Sequence, residues 1–165
     1  LYIQKIGGSF IIKFFDIYTI ETCKLLYFLC CFYDNVYINK PLTSRPANSE
    51  KYIVCKGFKG IDYTYLDEIC KILNIWCNIE DDNHINDIFS NNLPQSFIDK
   101  IRHFNEENTK YQIKNIQKTL DLIEEKKNLS MLSLIIENQV KKAKEWCNMY
   151  NMEVNLKSNF IQRYT

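Results

Sequence analysis

Glycine is scarce in this chain: of 165 residues only four are glycine, Gly7, Gly8, Gly57 and Gly60. None of them stands in a Gly-x-Gly pattern opening a helix, so there is no sequence from which a glycine-rich, ligand-cradling turn could be built. Proline is scarcer still, with three residues, two of them close together at Pro41 and Pro46 and the third at Pro94. An excess of one charge is also missing. With 21 basic and 20 acidic residues the net charge is +1, which excludes a strong attracting field for nucleic acid over the whole chain. Any such contact must be local. Long apolar runs are absent as well: the strongest, Leu25 to Phe32, is too short to span a bilayer and is interrupted upstream by Glu21 and Lys24. No segment reads as a signal peptide or a membrane span.

Histidine is limited to His84 and His103, which have no ligand-spaced partners, and no Cys-x-x-Cys occurs, so no metal is expected. Each histidine reads as a surface or cap residue. Seven cysteines are present, Cys23, Cys30, Cys31, Cys55, Cys70, Cys77 and Cys147. Their odd number and their place on apolar faces suggest reduced, buried thiols of an intracellular protein. A content of 46% hydrophobic and 14% aromatic residues is enough to bury a core, and the length suits one domain plus an extension.

Against this background one feature stands out. Lys13 lies in the apolar run Gly7-Gly8-Ser9-Phe10-Ile11-Ile12-Lys13-Phe14-Phe15-Asp16, and Glu50 directly precedes a second run, Lys51-Tyr52-Ile53-Val54-Cys55. Apolar side chains on both parities suggest a strand covered on both faces, as in the centre of a parallel α/β sheet. A lysine buried there needs a partner, because an uncompensated ammonium costs several kcal/mol even after relaxation. Glu50 is such a partner. The alternative is that Lys13 lies near the strand end and snorkels to solvent. Between the two runs, Thr19 can cap a helix with Glu21 in its first turn, and Leu25, Leu26, Phe28, Leu29 and Phe32 continue it to about Tyr33-Asp34-Asn35. Val36-Tyr37-Ile38 reads as a strand. The order is therefore strand, helix, strand, loop, strand. The loop Lys40-Pro41-Leu42-Thr43-Ser44-Arg45-Pro46-Ala47-Asn48-Ser49 presents hydroxyl, amide and guanidinium groups on a backbone stiffened by two prolines. It suits a phosphate-rich ligand or is a solvated turn.

The run ending in Lys13 together with Lys40 to Lys56 resembles the second half of an RrmJ/FtsJ-type ribose 2′-O-methyltransferase. Within that superfamily it is most similar to the branch that methylates the cap of mRNA. The close match covers about the first sixty residues; weaker similarity continues through Leu93-Pro94, the charged helix near Asn105 to Glu125, and Lys141 to Met149. The resemblance implies an α/β fold, the C-terminal half of a Rossmann-like S-adenosylmethionine-dependent methyltransferase sheet at residues 1–60, followed by an α-helical extension at 61–165. It implies that Lys13 and Glu50 match the second lysine and the glutamate of a Lys-Asp-Lys-Glu catalytic tetrad. It further implies that Asn48, with Ser44 and Arg45 in the same loop, faces capped RNA, and that the methyl goes from S-adenosylmethionine to the 2′-OH of the first transcribed nucleotide. Lys40, Arg45, Lys51 and Lys56 form a modest basic cluster around the loop. Asp16 reads as a structural strand-end acceptor. The implied setting is the nucleus for a cellular protein, or the host cytoplasm or virion for one from a large DNA virus. Capped mRNA is the implied partner; neither membrane nor metal is expected, and partners in the capping or transcription machinery are unspecified.

The departures matter equally. The Gly-rich loop, the aspartate and the first lysine of the tetrad have no counterpart here, and the chain begins at Leu1. We therefore expect a C-terminal piece of a longer protein, carrying half of an active site and unable alone to bind the methyl donor. Two other functions remain open, a non-catalytic methyltransferase-like RNA-binding subunit and a ribosomal RNA 2′-O-methyltransferase. Beyond about Gly60 the pattern turns helical, with Tyr65, Leu66, Ile69, Cys70, Leu73 and Trp76, then Ile113, Ile116, Leu120 and Ile123, then Leu132 to Tyr150. Asp81-Asp82-Asn83-His84 reads as a polar turn, and Pro94 and Ser96 favour a helix start. The extension reads as a scaffold covering the sheet, or as a wall of the RNA groove. The run Lys141-Lys142-Ala143-Lys144 is taken as a solvated face.

Overall fold

A computed structural model describes residues 1–80, 87–124 and 129–158. The expected turn at Asp81 to His84 lies outside the described residues. Strand β1 (Phe10–Phe14) is followed by helix α1 (Ile20–Phe32), strands β2 (Tyr33–Asn39) and β3 (Lys51–Phe58), and helices α2 (Tyr63–Cys77), α3 (Gln95–Glu124) and α4 (Leu129–Met149).

The sheet has the order β1-β3-β2, and β3 is antiparallel to both neighbours. This corrects the expectation of a central parallel strand at Lys13, since β1 pairs only with β3 among the described residues. It is also covered on one face. Phe10, Ile12 and Phe14 pack towards the core, while Ile11 (62% exposed) and Lys13 point to the open face. Ile11 misled the pattern because an exposed apolar side chain is common and carries little information.

The core lies between the sheet and the helices on its covered face. Ile53 and Cys55 from β3, Cys23 and Leu26 from α1, Ile17 from the β1–α1 connection and Ile101 from α3 are buried there together with Tyr33 and Phe58. Helix α1 starts where expected, with Thr19 Oγ1 accepting from the Thr22 N–H and Glu21 in the first turn. Tyr33 ends it in an extended conformation and opens β2, so helix and strand join without a loop. Gly57 keeps β2 and β3 in register: its φ is +72°, and a Cβ there would lie 2.3 Å from a carboxylate oxygen of Asp34.

Helix α2 is capped by Asp62, whose carboxylate accepts from the Thr64 N–H, and it buries no residue. This corrects part of the cysteine reading. Cys23 and Cys55 are buried, but Cys31, Cys70 and Cys77 are exposed. Burial pushes the Cys55 thiol up to about 11, which makes it inert.

Contacts divide the chain into two compact units, one of Leu1–Pro41 with Asn48–Tyr111, the other of Leu42–Ala47 with Gln112–Thr165. In the first, the Asn105 amide donates to the Ile17 carbonyl and Tyr18 bonds Thr109. In the second, the Gln112 amide donates to the Ala47 carbonyl at 3.0 Å. There α4 ends at Met149, and Asn151, at φ 51°, turns the chain so that the Met152 N–H reaches the Cys147 carbonyl. No helix of the described residues is long and apolar enough to cross a membrane.

Candidate functional site

The antiparallel register sets Lys13 opposite Tyr52, and strand alternation puts Glu50, two residues before Tyr52, on the same face. Lys13 Nζ consequently lies 3.4 Å from Glu50 Oε2, with the lysine side chain 48% and the glutamate 20% exposed. The lysine is neither buried nor lost in solvent. It rests over the Phe15 ring, 5.1 Å from the centroid, and keeps one side open to a ligand.

Glu50 is held from several directions. Tyr52 Oη donates to its Oε1 at 2.7 Å, and the Asn48 amide nitrogen approaches Oε2 at 3.5 Å. Its backbone N–H donates to Asn48 Oδ1 at 3.0 Å, an Asx turn that fixes the Glu50 main chain at the strand entrance. Lys40 Nζ donates to the carbonyls of Asn48 and Glu50, closing the other side of the same turn. The bond from Tyr52 chiefly, aided by Lys13 and by the charge of Lys40, holds the Glu50 carboxyl below its ordinary value, although desolvation opposes this.

Glu50 thus binds a proton less readily when folded, so its contribution to stability is present above the unfolded value of about 4.3 and fades as pH falls through the lower folded value. Glu50→Gln is therefore expected to lower the thermal midpoint at pH 7 and to approach the wild type as the pH falls through the folded value. A difference that stays constant across that range would show that the carboxylate charge is not what the contacts stabilise.

Of the residues singled out in the sequence, Lys13, Asn48 and Glu50 come together in the first unit. Ser44 and Arg45 belong to the second unit with the segment that Gln112 holds. Arg45 is exposed. The expected basic cluster is smaller than the sequence suggested. Lys51 is 4% exposed and donates to the carbonyls of Phe15 and Ser49 at 2.8 and 3.0 Å; burial lowers its pKa against the opposing charge of Asp16. Desolvation lowers that of Lys40 too, against the opposing charge of Glu50. Asp16 itself is exposed. Sequence reasoning passed over Tyr52 and did not foresee that Lys40 bonds the carbonyls of the turn. Tyr52 had one available signal, its i+2 relation to Glu50 on a strand.

A protein-family model described as FtsJ-like methyltransferase matches residues 3–58, the stretch that contains Lys13, Asn48, Glu50 and Tyr52. The chain is similar to the cap-specific mRNA (nucleoside-2'-O-)-methyltransferase 1 of Xenopus laevis, 46% identical over 85 residues that make up 50% of this chain and 10% of that protein. The Homo sapiens protein of the same name is 54% identical over 63 residues, 38% of this chain and 8% of its own length. That of Caenorhabditis elegans is 36% identical over 113 residues, 64% and 12% respectively. The chain spans about a tenth of the length of the curated relatives it matches.

Neither glycine ahead of β1 opens a helix. Gly7 and Gly8 precede β1 and serve pairing instead: the Gly7 N–H donates to the Phe58 carbonyl and the Phe58 N–H to the Gly8 carbonyl. A Cβ on Gly8 would meet the Gln4 side chain and the Lys5 carbonyl, so the chain packs closely on itself there.

Proposed function

We propose that the FtsJ-like segment supplies the proton-accepting side of an mRNA cap ribose 2′-O-methyltransferase. The observation that carries this reading is the half-open Lys13 ammonium, held 3.4 Å from a carboxylate that is itself fixed by a turn and a phenol. A ribose hydroxyl is a poor nucleophile until a base within hydrogen-bond reach removes its proton. Lys13 Nζ takes that proton in its neutral form, and Glu50 keeps the amine aimed at the hydroxyl. Asn48 accepts from the Glu50 N–H and donates one amide hydrogen weakly to Glu50 Oε2, so its second amide hydrogen is the one that orients RNA. Ser44 and Arg45 act as further RNA contacts.

The topology supports assigning residues 1–60 to the C-terminal half of a Rossmann-like sheet. β1 and β2 are both antiparallel to β3, so they run parallel to each other, and α1 links them as the crossover of a split βαβ unit. Residues 61–165 form the helical extension, which we assign a scaffolding role. S-adenosylmethionine is the methyl donor that the similarity to FtsJ-like methyltransferases implies. The partner is capped mRNA and the setting intracellular.

The test of the function is methyl transfer by the whole protein to the 2′-OH of capped RNA, followed by nuclease digestion and identification of the methylated nucleotide. Methylation confined to an internal or ribosomal position would replace this reading. The 165-residue chain alone is expected to give no saturable heat in isothermal titration with S-adenosylmethionine. Micromolar binding would place a donor site within the chain.

A further inference from the structure

We propose that Tyr52 is a positioning residue of this site, its phenol clamping one oxygen of Glu50 so that the other is presented to Lys13. The inference rests on the proposed transferase function and deepens it.

The geometry is specific. Tyr52 Oη lies 2.7 Å from Oε1, whereas Lys13 Nζ lies 3.4 Å from Oε2, so the two groups take different oxygens and do not compete. The register makes this arrangement a property of the sheet. Lys13 and Tyr52 are paired across β1 and β3, and Asn39 is paired with Tyr52 on β2, so the phenol stands in the middle of a row on the open face. A carboxylate on a strand entrance rotates freely about its terminal bonds unless something holds it. The Glu50 N–H bond to Asn48 Oδ1 and the Lys40 bonds to the carbonyls fix where the Glu50 main chain stands, and the Asn48 amide touches the carboxylate only at 3.5 Å, on the Oε2 side that also faces Lys13. Tyr52 supplies that restraint. The shared proton has opposite effects on the two groups, lowering the carboxyl pKa and raising that of the phenol, each chiefly through this bond.

The clamp has a chemical consequence. Lys13 must be held firmly enough to meet the hydroxyl yet be free to pass between charged and neutral forms. A carboxylate with one oxygen already bonded to a phenol offers the amine an oriented contact with part of its charge engaged elsewhere. Phenylalanine at position 52 keeps the ring and removes only the restraint.

The experiment has two arms. In the 165-residue chain, the Glu50 carboxyl is titrated by carbon-detected NMR in the wild type and in Tyr52→Phe, and the Tyr52 phenol by ultraviolet difference in the wild type and in Glu50→Gln. The carboxyl is expected to titrate at higher pH in the first variant and the phenol at lower pH in the second. In the whole protein, Tyr52→Phe is expected to lower kcat about 10- to 100-fold, the scale of a misplaced catalytic group, with KM for capped RNA within about threefold. Unchanged titrations in both variants would remove the clamp, and an unchanged kcat would remove its role in positioning. If the whole protein shows no methyl transfer at all, the transferase function falls, and the titrations still decide whether Tyr52 holds Glu50. A loss of fold in Tyr52→Phe is visible in its amide spectrum, and the phenol measurement in Glu50→Gln then decides the clamp.

Discussion

Replacing Lys13 by alanine in the whole protein is expected to reduce methyl transfer by ~10²- to 10⁴-fold, the range typical for loss of a general base, while capped-RNA binding stays within a few-fold. The base acts in the transition state, so its loss lowers kcat and kcat/KM together. The fold should tolerate the change. Lys13 is half exposed and its contact with Glu50 is a surface ion pair, a class worth ~0–1 kcal/mol. Single-turnover rates with capped RNA, beside a binding titration of the same variant, separate the two quantities. Near-normal turnover would reduce Lys13 to a snorkelling strand residue beside an unrelated carboxylate.

Ile53→Ala should produce the largest loss of stability. Ile53 is fully buried on the middle strand, paired with Ile12 on one side and Ile38 on the other, and packed in the cluster with Ile17 and Leu26. Removing the larger part of such a side chain costs about 2–5 kcal/mol, the transfer of the lost carbons plus the cavity left behind. That is a large part of the ~5–15 kcal/mol available to a native protein. Because β3 also carries Tyr52 and begins next to Glu50, the site should be lost with the strand. Urea unfolding followed by circular dichroism reads the effect. Ile11→Ala is the internal comparison: 62% exposed on the open face, it should change stability by no more than ~0.5 kcal/mol. Equal effects of the two substitutions would mean that the covered and open faces are interchanged.

Much of the local structure was legible. Thr19 capped α1 because a hydroxyl before an apolar helical run satisfies the first free N–H groups, and Pro94 preceded α3 because proline suits the first turn of a helix. Strands β1 and β3 lie where aromatic and β-branched runs placed them, and Lys13 meets Glu50 as expected; β2 begins at Tyr33, earlier than expected, because Tyr33 leaves the helix in an extended conformation and pairs with Phe58. Burial of individual charges was harder to read. Lys13 looked like the buried lysine, yet the deeply buried ones are Lys24 and Lys51. Both found oxygen partners remote in the chain: Asp87 and the Phe89 carbonyl for Lys24, the Phe15 carbonyl for Lys51. Such partners come from folding and leave no periodic mark.

By itself, then, the sequence determined what the segment resembles, the order of its strands and helices and the two charges at its centre, because propensity, capping and motif spacing act over a few neighbouring residues. Only the tertiary structure decided that β3 lies between β1 and β2 and antiparallel to both, that one sheet face stays open, and that Tyr52 rather than another lysine completes the hold on Glu50. The reason is physical. Strand direction and register are set by pairing between residues tens of positions apart, and a one-residue slip would turn every side chain, Lys13 and Tyr52 included, to the opposite face.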